Sequence, residues 1–263
     1  MTTPTTSASR DSRFVPLAGT HNFRRVEGWQ TPQGARLRSG ALLRSSGLEE
    51  LTRGDTDRLD ALGIARVIDL RSTGECAADP SNWHGAPPPT WRGATCAAAA
   101  NLATLIKGPP LTLDQLEGEL MGVYAAFPID LASALRAAFD ALERDDGALL
   151  VHCAAGKDRT GFVIAMILRA LGIREEDVVA DYLMTNESFA DACIRFQKRA
   201  LLAGMEARTP GAVRLMLSAS TSFLDRADRA IIAGWGGMDA YLEEVAGLGR
   251  DRRDAIRARL IEA

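Results

Sequence analysis

Apolar positions along this chain repeat with two different periods. Two short runs, "ARVIDL" (65–70) and "ALLVHC" (148–153), are continuous, as in strands buried on both faces of a parallel sheet. A third run, "TWRGATC" (90–96), follows the break "APPPT" and is read as a further strand. Between these runs the period lengthens to that of a helix. In "LTRGDTDRLDALGI" Leu59 and Leu62 share one face and Gly63 stands where a helix would stop. A second amphipathic segment begins at Thr112, with Leu113, Leu116, Leu120 and Val123 on one stripe. In "IDLASALRAAFDALERDDGA" Leu131, Leu135, Phe139 and Leu142 recur at helical spacing before a turn at Asp146-Gly147. Beyond residue 160 the pattern is helical almost to the end. Alternating helix and strand predicts an α/β fold with a mainly parallel central sheet flanked by helices and a helical C-terminal part.

Length changes this picture little: 263 residues suffice for a full core, and one domain over 13–263 is expected. The polar start "MTTPTTSASRDSR" has no apolar core of a secretory signal, and residues 1–12 are expected to be disordered. The longest apolar run, "GFVIAMILRALGI", is interrupted by Arg169, so no integral membrane segment is expected. A net charge of −3 provides no basic field for nucleic acid. The four cysteines are widely spaced and form no CxxC pair, which weighs against a metal site or a disulfide framework. These features together predict a cytoplasmic protein with no cofactor and no metal, with export by another route left open.

The chemistry concentrates in "HCAAGKDRTG" (152–161), a loop between a predicted strand and a predicted helix. Ala154, Ala155 and Gly156 are small enough for backbone N–H groups to converge, and the following helix directs its positive end at the same place. A thiol at the lip of such an anion cradle, Cys153, is poised to react as the thiolate. Arg159 offers a planar fork to two phosphate oxygens. Together they imply attack of sulfur on phosphorus and a phosphocysteine intermediate. The spacing C-x5-R alone is not specific, because Cys193 and Arg199 also match it, in a charged stretch without glycine. A nucleotide P-loop does not fit: its first glycine would fall at Val151, and Asp158 replaces the magnesium-binding Ser or Thr.

With these residues in place, the chain resembles the bacterial tyrosine-protein phosphatase family of cysteine-dependent enzymes, from residue 18 nearly to the end. "GTHNFRRVEGW" is similar to the family's N-F-R-D opening, "LLRSSGLEELT" to its R-S segment and "VIDLRSTGE" to its D-L-R-S strand end. "HCAAGKDRTGFVIAMILRALGI" is similar to its H-C-x-x-G-K-D-R-T-G signature and the helix after it, and "VVADYLMTN" and "GGMDAYLEE" to its later helices. The resemblance implies a protein-tyrosine-phosphatase-like fold, Cys153 as nucleophile and Arg159 as phosphate clamp. It implies Thr160 as a hydrogen-bond donor to the thiolate, and Lys157 and Asp158 as the loop positions that mark this branch. Substrate classes in the family include phosphotyrosine, phosphoserine or phosphothreonine, and phosphoinositides. Two departures stand out: Arg25 occupies the usual Asp of the opening, and the 97–111 connection is short and alanine-rich, with Asn101 near a position where relatives carry an aspartate.

The leaving oxygen needs a proton, and a carboxyl normally supplies it. Asp158 lies in the cradle loop and is read either as this acid or as a loop-holding group. Asp69 ends a strand and is read as a supporting carboxylate with Arg71 as ion partner; Asp130 in "FPID" is read as a helix cap. His152 is read as a supporting donor that orients the loop, and Lys157 either as a substrate cation or as a solvated rim charge. His21 and His84 receive no role, and Arg44 and Ser45 are read either as lining the pocket or as a strand-end ion pair. The sequence therefore predicts a metal-independent phosphomonoester hydrolase acting on a phosphorylated protein. Alternatives left open are a phosphoinositide or small-molecule phosphatase, a phosphate-binding module without turnover, and sulfur transfer by a reactive cysteine.

Overall fold

The computed structural model describes residues 11–93, 96–144, 146–197 and 200–263, without the side chains of 101–103, 105, 106, 196, 197 and 200–203. Among these residues the strands are β1 (Arg24–Arg25), β2 (Arg36–Leu37), β3 (Leu42–Ser45), β4 (Ile64–Asp69), β5 (Thr90–Arg92), β6 (Ala148–His152) and β7 (Ile261–Glu262). The helices preceding the cradle are α1 (Arg53–Asp60), α2 (Thr73–Ala78), α3 (Ala97–Lys107), α4 (Leu113–Asp130) and α5 (Ala132–Arg144). After it come α6 (Asp158–Ala170), α7 (Glu175–Leu183), α8 (Phe189–Gln197), α9 (Ala200–Arg208), α10 (Ala212–Leu217), α11 (Thr221–Trp235), α12 (Met238–Glu244) and α13 (Arg250–Leu260), with a 3₁₀ turn over Met184–Ser188.

The central sheet runs β1-β3-β6-β4-β5; β1 is antiparallel to β3 and the other pairs are parallel. A mixed α/β fold with a mainly parallel sheet is thus present. Each residue of β6 is buried, as a strand clothed on both faces must be. In α6 every residue from Thr160 to Leu168 is buried, so this helix is apolar all round and packs through the middle of the protein.

Local signals set the helix starts. Thr52 with Asp55, Ser72 with Glu75 and Thr112 with Gln115 form reciprocal capping boxes at α1, α2 and α4. Leu116, Leu120 and Val123 are buried as the stripe predicts, but Leu113, in the first turn, is 41% exposed. The helices α4 and α5 bend by 54° at Leu131. Pro128 lies just before this break and cannot donate a backbone hydrogen bond. Asp130 is therefore the last residue of α4, not a cap for α5.

The strands differ from expectation in extent. Cys153 lies outside β6, β5 stops at Arg92, and Ala94 and Thr95 lie outside the described residues. The short strands β1 and β3 go beyond the three anticipated. Of the tail expected over 1–12, residues 1–10 lie outside the described residues, as do Arg199 and the Asn101 side chain. Among the described residues no single helix is long and apolar enough to cross a membrane.

Candidate active site

Strands β4, β5 and β6 run parallel with Arg92, Asp69 and His152 in register at their carboxyl ends. The chain leaves β6 at His152, turns through Cys153–Lys157 and enters α6 at Asp158. Cys153 is 2% exposed. The turn requires Gly156: its φ is +66°, and a Cβ there would lie 2.5 Å from the Ser45 carbonyl oxygen. The Ala154 carbonyl accepts from the Gly47 N–H at 3.0 Å, so β3 and its following residues form the wall of the cradle.

The floor is polar and buried. The Gly156 carbonyl accepts from Asn22 Nδ2 and Arg44 Nη2, both at 2.9 Å. Arg44 Nη1 pairs with Asp181 at 2.5 Å, Arg24 Nη2 donates to the Asp181 carbonyl at 2.7 Å, and Arg24 also donates to Asn22 Oδ1. Asn22 takes a left-handed φ of 56°, a conformation Asn tolerates better than most residues. Burial raises the Asp181 carboxyl, but the adjoining Arg24 and Arg44 charges bring it below its ordinary value. Burial, reinforced by Arg44, lowers the Arg24 guanidinium to about 9.

Arg159 is gripped from behind. Its Nη1 donates to Glu75 Oε2 at 2.8 Å and to the Leu70 carbonyl at 3.0 Å, and its Nη2 donates to Glu75 Oε1 at 2.8 Å. A guanidinium has five N–H donors. Among the described residues the Nε–H and the second Nη2–H have no acceptor, and they lie on one edge of the plane. That edge can take two oxygens of a tetrahedral oxyanion. Burial pushes the Glu75 carboxyl up, yet the Arg159 fork and the Ser72 N–H hold it at about 2. Burial opposes the Arg159 charge too, and Glu75 together with nearby Cys153 outweighs it.

The sequence that folds into this site has relatives. A family model described as the tyrosine phosphatase family matches residues 15–262. This chain belongs to the tyrosine phosphatase family. Its members are phosphoric monoester hydrolases, and this chain is an enzyme of that class. A "Putative tyrosine-protein phosphatase" of Cupriavidus necator is 34% identical over 232 residues, covering 85% of this chain and 80% of that protein. The triple specificity protein phosphatase PtpB of Mycobacterium tuberculosis is 35% identical over 196 residues, 65% of this chain and 69% of its own. Among solved structures, Pseudomonas aeruginosa TpbA overlaps at 16% identity and a TM-score of 0.30, covering 65% of this chain and 89% of that one, too loose an overlap to argue from.

The remaining sequence candidates of this tyrosine phosphatase divide by what they touch. Asp158 Oδ1 accepts from the Tyr124 hydroxyl at 2.7 Å and pairs with Lys157 Nζ at 2.8 Å. Tyr124 is bonded in turn to Tyr182 at 2.7 Å. Gly161 is what admits Tyr182, whose ring would lie 2.7 Å from an added Cβ. Lys157 is 1% exposed, so the reading as a solvated rim charge is corrected. Its ammonium turns inward to the Ser218 carbonyl at 3.2 Å and over the Phe223 ring at 5.3 Å, tying the loop to the segment that leads into α11. Thr160 is fully buried, and among the described residues its hydroxyl has no hydrogen-bond partner. Ala155 packs against the small apolar cluster of Ala192 and Leu217.

Asp69 is fully buried and gripped by Arg71 through Nε at 2.9 Å and Nη2 at 2.8 Å. Burial raises its carboxyl, but Arg71 and His152 bring it to about 2, so it carries no proton to give near neutrality. His152 Nε2 lies 3.6 Å from Asp69 Oδ2 and its Nδ1 3.4 Å from the Cys153 carbonyl. Burial lowers its pKa and outweighs the pull of Asp69, so the ring is neutral at pH 7. Arg44 pairs with Asp181 of α7 rather than at the strand end, with the Gly156 carbonyl as an added acceptor, while Ser45 meets Thr20.

Sequence reasoning missed Glu75, Asn22, Tyr124 and Tyr182. Glu75 was legible as the fourth residue of the Ser72 capping box directly after β4; the tyrosines left no local signal. Glu75→Gln should preserve that box, since Gln serves equally there. It should lower kcat/KM for an aryl phosphate by about 10–100-fold through misplacement of the Arg159 fork. The measurement is steady-state kinetics with thermal unfolding in parallel; unchanged kinetics would make the Glu75–Arg159 contact a mere ion pair.

Proposed function

We propose that this tyrosine phosphatase works through a phosphocysteine, with residues 13–263 acting as one catalytic unit and phosphotyrosine in proteins as its principal substrate class. The observation that carries the reading is Arg159, held by Glu75 with one N–H edge uncommitted beside the Cys153 loop. The phosphate sits in the cradle with two non-bridging oxygens on that edge. Cys153 Sγ, as thiolate, forms a bond to phosphorus as the ester P–O bond breaks, and Asp158 gives its proton to the leaving oxygen. Water then attacks the phosphocysteine, Asp158 takes a proton from that water, and sulfur leaves as thiolate. The buried, unpartnered Thr160 hydroxyl is the group in this loop suited to donate to that thiolate.

Asp158 is favoured as the acid by its place in the loop, because Asp69 is fully buried beneath Arg71 and Asp130 closes α4. Asp158 stands in the loop itself, partly exposed and oriented by Tyr124. Ala154, Ala155 and Gly156 present backbone to the phosphate. Lys157 contributes by holding Asp158 and the loop's outer turn. Phosphoserine, phosphothreonine or phosphoinositide turnover on the same machinery is the broader form of the reading, supported as to breadth by the mycobacterial relative, a triple specificity protein phosphatase.

The test is p-nitrophenyl phosphate hydrolysis in excess EDTA, acid-quenched and followed by mass spectrometry of the peptide carrying Cys153. Turnover that survives EDTA with a phosphate adduct on Cys153 is expected. Activity restored only by a divalent metal, or an adduct elsewhere, would overturn the mechanism. Transfer of sulfur from thiosulfate would favour the rival chemistry.

A further inference from the structure

We propose that Arg92 is an anion subsite for an acidic side chain of the substrate peptide, two or three residues from the phosphorylated one. The inference rests on the phosphatase reading above. Several cations around the cradle are already held by partners. Arg159 is held by Glu75 and Leu70, and Lys157 by Asp158 and Ser218. Arg44 and Arg24 share Asp181. Arg71 directs its guanidinium to Asp69, the Asp79 carbonyl and Ser81.

Arg92 differs from all of these. It is 52% exposed, and among the described residues its side chain makes no hydrogen bond. Its nearest carboxylate oxygen is Asp69 Oδ2, 3.7 Å from Nε, on a group that Arg71 already holds by two hydrogen bonds. The positive charge of Arg92 is thus loosely paired and open to solvent.

Its location gives that charge a use. Arg92, Asp69 and His152 stand in register on β5, β4 and β6. Two strand spacings of about 4.8 Å put the Arg92 backbone roughly 10 Å from the residue before Cys153. An extended peptide advances about 3.3 Å per residue, so two or three residues span that offset. The geometry therefore suits an Asp or Glu side chain of a bound phosphopeptide. Lys157, the loop cation that sequence reasoning offered for such a second anion, is buried and occupied.

The experiment compares two synthetic phosphotyrosine peptides, one with Ala flanks and one with Glu at two and three positions to either side. Wild type, Arg92→Ala and Arg92→Glu are assayed on both and on p-nitrophenyl phosphate, at low and high salt. Wild type should prefer the acidic peptide by about three- to tenfold, with the preference shrinking in high salt. Arg92→Ala should abolish the preference and Arg92→Glu invert it, with p-nitrophenyl phosphate turnover within about twofold throughout. Equal losses on all three substrates would place Arg92 behind Asp69 and overturn the subsite. So would a preference retained in Arg92→Ala. Affinities of the two peptides for Cys153→Ser read the subsite without turnover. Absent hydrolysis by wild type would sink the phosphatase reading, whereas equal affinities would sink the subsite.

Discussion

Cys153→Ser should reduce phosphate-ester turnover by roughly 10³-fold or more, the scale on which removal of a covalent nucleophile acts. Serine is nearly isosteric, so the 2% exposed position should repack with little disturbance. What changes is chemistry: a serine hydroxyl is not ionised near neutrality, and in the first step Asp158 serves as acid to the leaving oxygen, not as base to the nucleophile. The neighbouring imidazole, His152, contacts Asp69 and the Cys153 carbonyl instead. The Arg159 fork and the cradle backbone are untouched, so phosphotyrosine should still bind to within a few-fold of wild type. Steady-state kinetics beside calorimetric titration checks both halves. Retained turnover would place the nucleophile elsewhere, and lost binding would make Cys153 structural. Cys193→Ser is the internal control: Cys193 lies in α8, a helix, and its substitution should leave kinetics unchanged.

The second large effect is on stability. Asp181→Asn should cost about 3–5 kcal/mol, because it leaves two buried guanidinium groups without their carboxylate. Arg24 and Arg44 are both fully buried, and Asp181 is 1% exposed. The cluster is already under electrostatic tension, since burial lowers Arg24 to about 9 even with Asp181 present. Loss of the carboxylate would free Arg44 from the position in which it also holds the Gly156 carbonyl. Activity should therefore fall with stability, and the melting temperature should drop on the order of 10 °C. Urea unfolding followed by circular dichroism measures the effect. A cost below about 1 kcal/mol would mean that water or another acceptor replaces the carboxylate.

How much of this could be read in advance depends on whether the signal was local. Cys153, Gly156 and Arg159 are separated by a few residues in one strand-to-helix loop, so their gathering around one turn was legible. Capping at Thr112 and the stripe Leu116-Leu120-Val123 were legible for the same reason. The strand pair β1 and β3 was not, because Arg24 and Arg44 read as polar positions and become buried only through a partner, Asp181, that lies 157 and 137 residues distant along the chain. One of the two readings of Lys157, as a solvated rim charge, failed on the same ground: a lysine in a loop is ordinarily solvated, and only the arrival of Ser218 and Phe223 gives its ammonium a buried site.

By itself, then, the sequence determined the alternation of helix and strand, the position of the strand-to-helix loop and the family to which the chain belongs. Those properties rest on hydrophobic period, capping and steric permission, all of which act over a few residues. Only the tertiary structure decided which of many arginines are committed and which stands open. A charge buried by folding must find a partner, and the partner's identity depends on which segments the packed core brings together. Glu75 behind Arg159, Asp181 between Arg24 and Arg44, and the uncommitted Arg92 at the end of β5 are outcomes of that packing.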